Sequence, residues 1–439
     1  MSPDRWEDVW RSETPHILAA LLRRSGDFEA CEDAVQEALL AASGQWPAQG
    51  LPDNPRAWLI RVASRKLIDQ QRLHAARTQR ELDAATRAPA DAHYVASADS
   101  TAFAASGDDT LQLLLLCAHP ALSDPSQVAL TLRAVAGLST AQIAAGFLVP
   151  EATMAQRISR AKATLRTAGA KFESPTWADL PDRLHVVRHV LYLVFNEGYT
   201  ASSGAGLVDI DLAGEAIRLV ERLHRSVSED TETSGLLALM LLTHARTPAR
   251  TDLRGDLVPL SEQDRTRWDR DMISRGTMLI EQALPGGPVG PFQLQAAIAA
   301  VHDAATTAEA TDWMQITMLY RMLDRLAPSP TVTLNLAIAV GMAHGPAAGI
   351  AALAPLLQRA EQQRNHRVHA AHAHLLELAG DTAAAKNAYS LAARLTDSIP
   401  NSDTSTVKPE YTVEVPRTRR RTESRLPPDH PWKNDLPEW

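Results

Sequence analysis

The sequence predicts an all-α protein, and three observations carry that expectation. Hydrophobic residues make up 45% of the 439 residues but aromatic residues only 5%, so helices packed through Ala and Leu are favoured over strands rich in β-branched and aromatic side chains. Apolar positions recur every three to four residues along several long runs, which is the period of a helix face and not the alternation of a strand. Proline and glycine fall between those runs, where helices start and stop. The length is enough for about three domains at ~100–200 residues each.

Residues 9–22, 31–42 and 57–73 place apolar side chains at helical spacing, with Pro47, Pro52 and Pro55 expected to end one helix and open the next. Residues 5–75 therefore read as one compact helical unit. Residues 76–109 turn to Ala, Arg, Asp, Ser and Thr with little periodicity, a composition that reads as a flexible linker. A second helical unit covers 110–171 and is closed by Ser174-Pro175 and Pro181. Amphipathic helices resume over 180–285, with breaks expected at Asn196-Glu-Gly-Tyr199 and Ser202-Ser-Gly-Ala-Gly206. Over 286–395 the chain reads as helix pairs. One helix spans 311–326 and ends at Pro328-Ser-Pro330, another runs from Thr331 to Gly345-Pro346, and the pair over 366–395 is hinged at Gly380-Asp381. Small residues at helical spacing let such helices approach closely, the arrangement of a tetratricopeptide-like domain. Residues 396–439 are rich in Pro, Ser and Thr, carry the basic cluster Arg417, Arg419, Arg420 and Arg421, and are expected to be disordered.

Several classes of function are disfavoured. Cys31 and Cys117 lie far apart and cannot build a disulfide framework or a cysteine-rich zinc site. The polar, acidic start is unlike a signal peptide, and the apolar stretches 111–118 and 332–343 are shorter than the ~20 residues a membrane span needs, so a soluble, cytoplasmic protein without membrane insertion is expected. His185 with His189, and His369 with His372, could each place two imidazoles on one helix face, but no nearby Cys or carboxylate pattern completes a metal site. Glu197 has no nucleophile, phosphate loop or paired carboxylate beside it, so no catalytic residue, cofactor or metal is expected.

Lys and Arg number 44 against 52 Asp and Glu, a net charge of −8, so any nucleic-acid binding must come from local basic patches. Two such patches occur. In the stretch 138–162, Ser139 caps a short helix whose Ile143 and Ala144 face inward. Pro150 is expected just inside a second helix with Met154, Ile158 and Ala161 at core spacing. This is a helix-turn-helix, and its outer face presents Thr153, Gln156, Arg157 and Arg160, followed by Lys162, Arg166 and Lys171. Such side chains hydrogen-bond base edges in the major groove and neutralise phosphates. A second basic concentration comprises Arg56, Arg61, Arg65, Lys66, Arg72, Arg77 and Arg80. It includes Trp58, which either packs in a core or stacks on an unpaired base. Upstream, Glu29, Glu32, Asp33, Gln36 and Glu37 form an acidic and amide helix face.

The acidic helix, the Trp-containing basic helix, the linker and the helix-turn-helix follow one another in the order of a two-domain bacterial sigma factor. Glu32-Asp-Ala-Val-Gln-Glu-Ala-Leu, Pro55-Arg-Ala-Trp-Leu-Ile-Arg-Val-Ala and the helix-turn-helix resemble an extracytoplasmic-function sigma factor. His119-Pro-Ala-Leu, Phe147-Leu-Val-Pro-Glu-Ala-Thr-Met-Ala-Gln-Arg157, Phe195-Asn-Glu-Gly-Tyr199, Asp264-Arg-Thr-Arg-Trp-Asp269 and Pro328-Ser-Pro330 are similar to the subgroup with a long C-terminal extension. The resemblance spans roughly residues 5–395. It implies that residues 5–75 form sigma region 2 and residues 110–171 sigma region 4. Glu32, Asp33, Gln36 and Glu37 would then dock on the clamp helices of the largest subunit of core RNA polymerase. Trp58, Arg61, Arg65 and Lys66 would meet the −10 element of promoter DNA, and Thr153, Gln156, Arg157, Arg160 and Lys162 the −35 element. Arg65 stands where relatives commonly carry Asn or His. The C-terminal helical domain would regulate activity and could hold a protein or peptide of its own. The alternative is a conventional helix-turn-helix regulator with a tetratricopeptide-like sensor, which would have no need for the acidic docking helix.

Overall fold

The computed structural model describes residues 4–85, 109–147, 149–170, 172, 180–201, 211–252 and 257–395, and the linker beyond Ala85, the Ser202–Gly206 turn and the 396–439 tail lie outside them. Among the described residues there are seventeen α-helices and no strand, so the fold is all-α.

The first three helices, α1 (Asp4–Ser25), α2 (Phe28–Gln49) and α3 (Pro55–Ala85), pack on one another. Gly26, at φ 70°, turns the chain out of α1, and the Asp27 side chain accepts from Ala30 N to cap α2. Ile17, Leu18 and Leu21 of α1, Cys31, Val35 and Ala38 of α2, and Leu59, Ala63 and Leu67 of α3 supply the buried stripes. Two boundaries differ from the sequence expectation. Pro47 does not end α2, which runs on to Gln49; this near the helix end the proline forfeits a single hydrogen bond, and the fully packed Trp46 holds the turn in place. The third helix continues through residues 76–85, where a linker was expected, because its Arg, Gln, Glu and Ala residues are good helix formers even without an apolar stripe.

The second unit comprises α4 (Asp109–Cys117), α5 (Asp124–Ala134), α6 (Thr140–Gly146) and α7 (Glu151–Thr167). Ser139 and Gln142 form a reciprocal capping box at the start of α6. Pro150 is the residue before the first turn of α7, one position earlier than expected.

The remainder consists of α8 (Leu180–Ala201), α9 (Leu212–Ser226), α10 (Thr231–His244), α11 (Arg270–Ala283), α12 (Pro291–Ala304), α13 (Trp313–Leu326), α14 (Pro330–His344), α15 (Pro346–Leu357), α16 (His366–Leu378) and α17 (Thr382–Leu395). The break expected at Asn196–Tyr199 is absent, and α8 runs straight through it. Phe195 and Tyr199 stack one turn apart with ring centroids at 5.7 Å, and Arg250 grips both the Tyr199 carbonyl and its ring. The apolar α10 is buried among α8, α9, α11 and α12. From α13 onward consecutive helices pack pairwise. There α14 and α15 approach so closely that a Cβ on Gly349 would lie 2.7 Å from the Gly341 Cα.

One apolar core runs without interruption from α1 to α12, because α8 packs on α4, α5 and α6, α9 packs on α4, and α4 packs on α1. The extension is therefore built into the second unit, which itself packs on the first, instead of hanging from it. Among the described residues no helix is long and apolar enough to cross a membrane.

Candidate nucleic-acid interface

The helix-turn-helix offers one open face. Met154, Ile158, Ala161 and Leu165 bury one side of α7 against the unit's core, which leaves Thr153, Gln156 and Arg160 exposed and Arg157 half-buried on the other. At 3.6 residues per turn these four share a face, as a helix entering a major groove requires. Lys162 is not on it. About 40° around the helix from Ile158, Lys162 points back into the molecule, only 11% of its side chain is exposed, and it donates to Glu32.

That contact joins the first two units. The Glu32 side chain is 5% exposed and accepts from Arg133 Nε at 2.8 Å as well as from Lys162. Lys162 also approaches Asp33 at 4.0 Å, and Arg166 bonds Glu29. Burial alone would push the Glu32 carboxyl up, but Arg133 and Lys162 outweigh it and hold the group below its ordinary value. For the more exposed Asp33 burial wins, and its carboxyl is raised despite Lys162. The acidic face of α2 is thus split. Glu32 is spent on α5 and α7, whereas Asp33 and Glu37 are exposed and Gln36 is half-buried. Glu32 and Lys162, each expected on an open binding face, are in this arrangement each other's partner.

On α3, Arg61 and Arg65 are exposed one turn apart, and Lys66 turns toward α2 to meet Glu37 at 3.1 Å. Trp58 packs edge-on to Trp46 at 5.4 Å, and Trp46 in turn lies 6.4 Å from Trp10. Trp58 is half-buried against the core of the first unit. Arg56 pairs with Glu13 at 2.5 Å.

Sequence reasoning did not single out Arg133, because nothing local distinguishes a cation that reaches a carboxylate 101 residues away. The Asp264–Asp269 motif was legible as a motif, but the charged centre of the extension that it helps to build was not. There Arg246 donates to Asp303 at 2.7 Å with both side chains buried, Arg265 donates to the carbonyls of His302 and Ala305 at 2.6 and 2.7 Å, and the Trp268 ring sits against both guanidiniums, at 5.5 and 4.8 Å. A cavity of about 70 Å³ lined by Phe195, Asn196, Tyr199, Arg246, Arg250 and His302 lies beside this cluster. It has room for water or one small ion, well short of the ~300 Å³ of an ordinary ligand pocket. The Asn196–Tyr199 motif therefore builds the extension's core. His189 faces Asp124 at 3.6 Å.

Comparison with known proteins agrees with this architecture. Residues 9–77 match sigma-70 region 2, and residues 112–165 match sigma-70 region 4. Residues 183–284 match a family of unknown function, DUF6596. An uncharacterized protein of Rhizobium meliloti is 43% identical over 372 residues, which cover 82% of this chain and 85% of that protein. The probable ECF RNA polymerase sigma factor SigI of Mycobacterium tuberculosis is 33% identical over 157 residues, 35% of this chain and 52% of that protein. No solved structure matches the chain. Two sigma-70 regions on an all-α scaffold define a sigma factor, a transcription initiation factor that binds DNA. The chain belongs to the extracytoplasmic-function-like sigma factors that carry a C-terminal extension, and it shares a family with the Rhizobium protein.

Proposed function

We propose that this chain joins core RNA polymerase in the cytoplasm and directs it to promoters whose −10 element meets α3 and whose −35 element meets α7. The observation that carries the reading is the simultaneous exposure of Arg61 and Arg65 on one unit and of Thr153, Gln156 and Arg160 on the next, in the order in which the two sigma-70 matches occur. Arg157 belongs to the same −35 face, and Lys66 lies beside the −10 residues. Asp33, Gln36 and Glu37, together with Glu32 once it is uncovered, are the side chains that meet the clamp helices of the largest polymerase subunit. The chain acts by binding, without catalysing a reaction of its own. The packing of α8 and α9 on the second unit supports a regulatory role for residues 180–395, which fix where that unit sits. The tetratricopeptide-like helices over 286–395 are suited to hold a protein or peptide.

The test is transcription reconstituted from purified core polymerase and a promoter selected with this chain. Specific initiation without any other sigma factor is expected. Initiation that appears only when a housekeeping sigma is added would establish the conventional regulator instead.

A further inference from the structure

We infer that the contact of α2 with α5 and α7 is an autoinhibitory clasp: the free chain covers Glu32, the buried end of its polymerase-binding face, with its DNA-reading unit. The inference rests on the sigma-factor reading above and adds to it a state in which the factor engages core weakly.

Three observations lead there. First, the same acidic face has two claimants. Glu32 and Glu29 are already bonded to Arg133, Lys162 and Arg166 of the second unit, and a carboxylate with 5% of its side chain exposed cannot also be offered to a polymerase surface. Second, the clasp uses only the C-terminal half of α7. Thr153, Gln156 and Arg160 stay exposed, so closure withholds Glu32 from the polymerase face and leaves the base-reading side chains untouched. Third, the second unit is held from both sides: α4 packs on α1, and α8 and α9 of the extension pack on α4 and α5. The extension thus sets the position from which α5 and α7 reach α2.

The chemistry of the clasp suits a contact that opens. Buried ion pairs contribute little net stability over the hydrated ions, yet stripping the cations from a buried carboxylate without replacement is costly. The low-cost route out of the closed state is therefore exchange, in which a partner presenting cations of its own takes over Glu32 as Arg133 and Lys162 leave. Salt weakens the exposed Glu29–Arg166 pair most.

The experiment locks the clasp at its exposed outer pair. In the full chain, Glu29→Cys and Arg166→Cys are joined by a short reducible thiol cross-linker, which the native Cys31 and Cys117 escape because both are buried. Binding to core polymerase is then measured before and after reduction. At least tenfold weaker binding by the cross-linked chain, restored on reduction, is the expected result. Equal binding by the locked and reduced forms overturns the clasp while leaving the sigma reading intact. A reduced chain that cannot bind core at all overturns the sigma reading and the clasp with it. A second variant, Arg133→Ala, removes a cation of Glu32 that has no place in either proposed interface. Severalfold faster association with core supports the clasp, and an unchanged rate in a folded variant counts against it.

Discussion

Glu32 carries opposed electrostatic effects at a single residue. Burial raises its carboxyl, and the two cations lower it further than burial lifts it, to below the usual 4.5. A group whose folded pKa is depressed adds stability that is complete above its unfolded value and disappears as pH falls through the folded one. The contact between the two units is therefore expected to hold at neutral pH and to loosen below about pH 4.5. A fluorescence-transfer distance between labels on α2 and α7 should record that acid limb in the wild type and not in Glu32→Gln. Asp303 is the opposite case, a carboxyl that burial raises in spite of Arg246. Arg246→Met leaves it buried without its cation, at a cost of roughly 3–5 kcal/mol, to be read from the urea midpoint. Asp303→Asn added to Arg246→Met should recover much of that loss, because the uncompensated charge is then gone. Of these residues, Lys162 was read with the DNA-facing side chains and Arg133 was given no role, since the partner of each is supplied only by the fold.

Among the elements, α7 is expected to separate reading from holding. Arg160→Ala or Arg157→Ala should cost roughly 1–3 kcal/mol of discrimination among −35 variants if either makes a bidentate base contact. Binding to a panel of mutated −35 sequences measures it, and wild-type discrimination would remove these arginines from the reading face. Where α8 crosses α9, Gly198 is the limiting residue, because a Cβ there would stand 2.4 Å from the Ala213 backbone nitrogen and 2.7 Å from the Leu212 Cβ. Gly198→Ala is expected to push the two helices apart and lower the melting temperature by several degrees, on the order of 1–3 kcal/mol of overpacking. The sequence contains this glycine within an apparent turn, and only the packing shows that it serves a helix crossing.

For the whole molecule, the continuity of the core decides what can be cut. Removing residues 180–395 would expose the faces of α4 and α5 that α8 and α9 cover. A chain of residues 1–175 is expected to melt at lower temperature than one of residues 1–400 and to differ from it in promoter-specific transcription. Ending the chain at residue 400 should change transcription much less. Equal activity of the full chain and of residues 1–175 would remove any regulatory role for the extension.

The sequence by itself determined the all-α class, the helix-turn-helix and the order of acidic, basic and DNA-reading helices, because these follow from local rules: a helical period, a capping box at Ser139 and cations on one face of one helix. Tertiary structure alone decided that Pro47 stays inside α2, that Asn196–Tyr199 is helix, and that Glu32 and Lys162 meet each other. In each case the outcome turns on which distant groups share a buried site, and desolvation and packing there outweigh the local preference of a few residues.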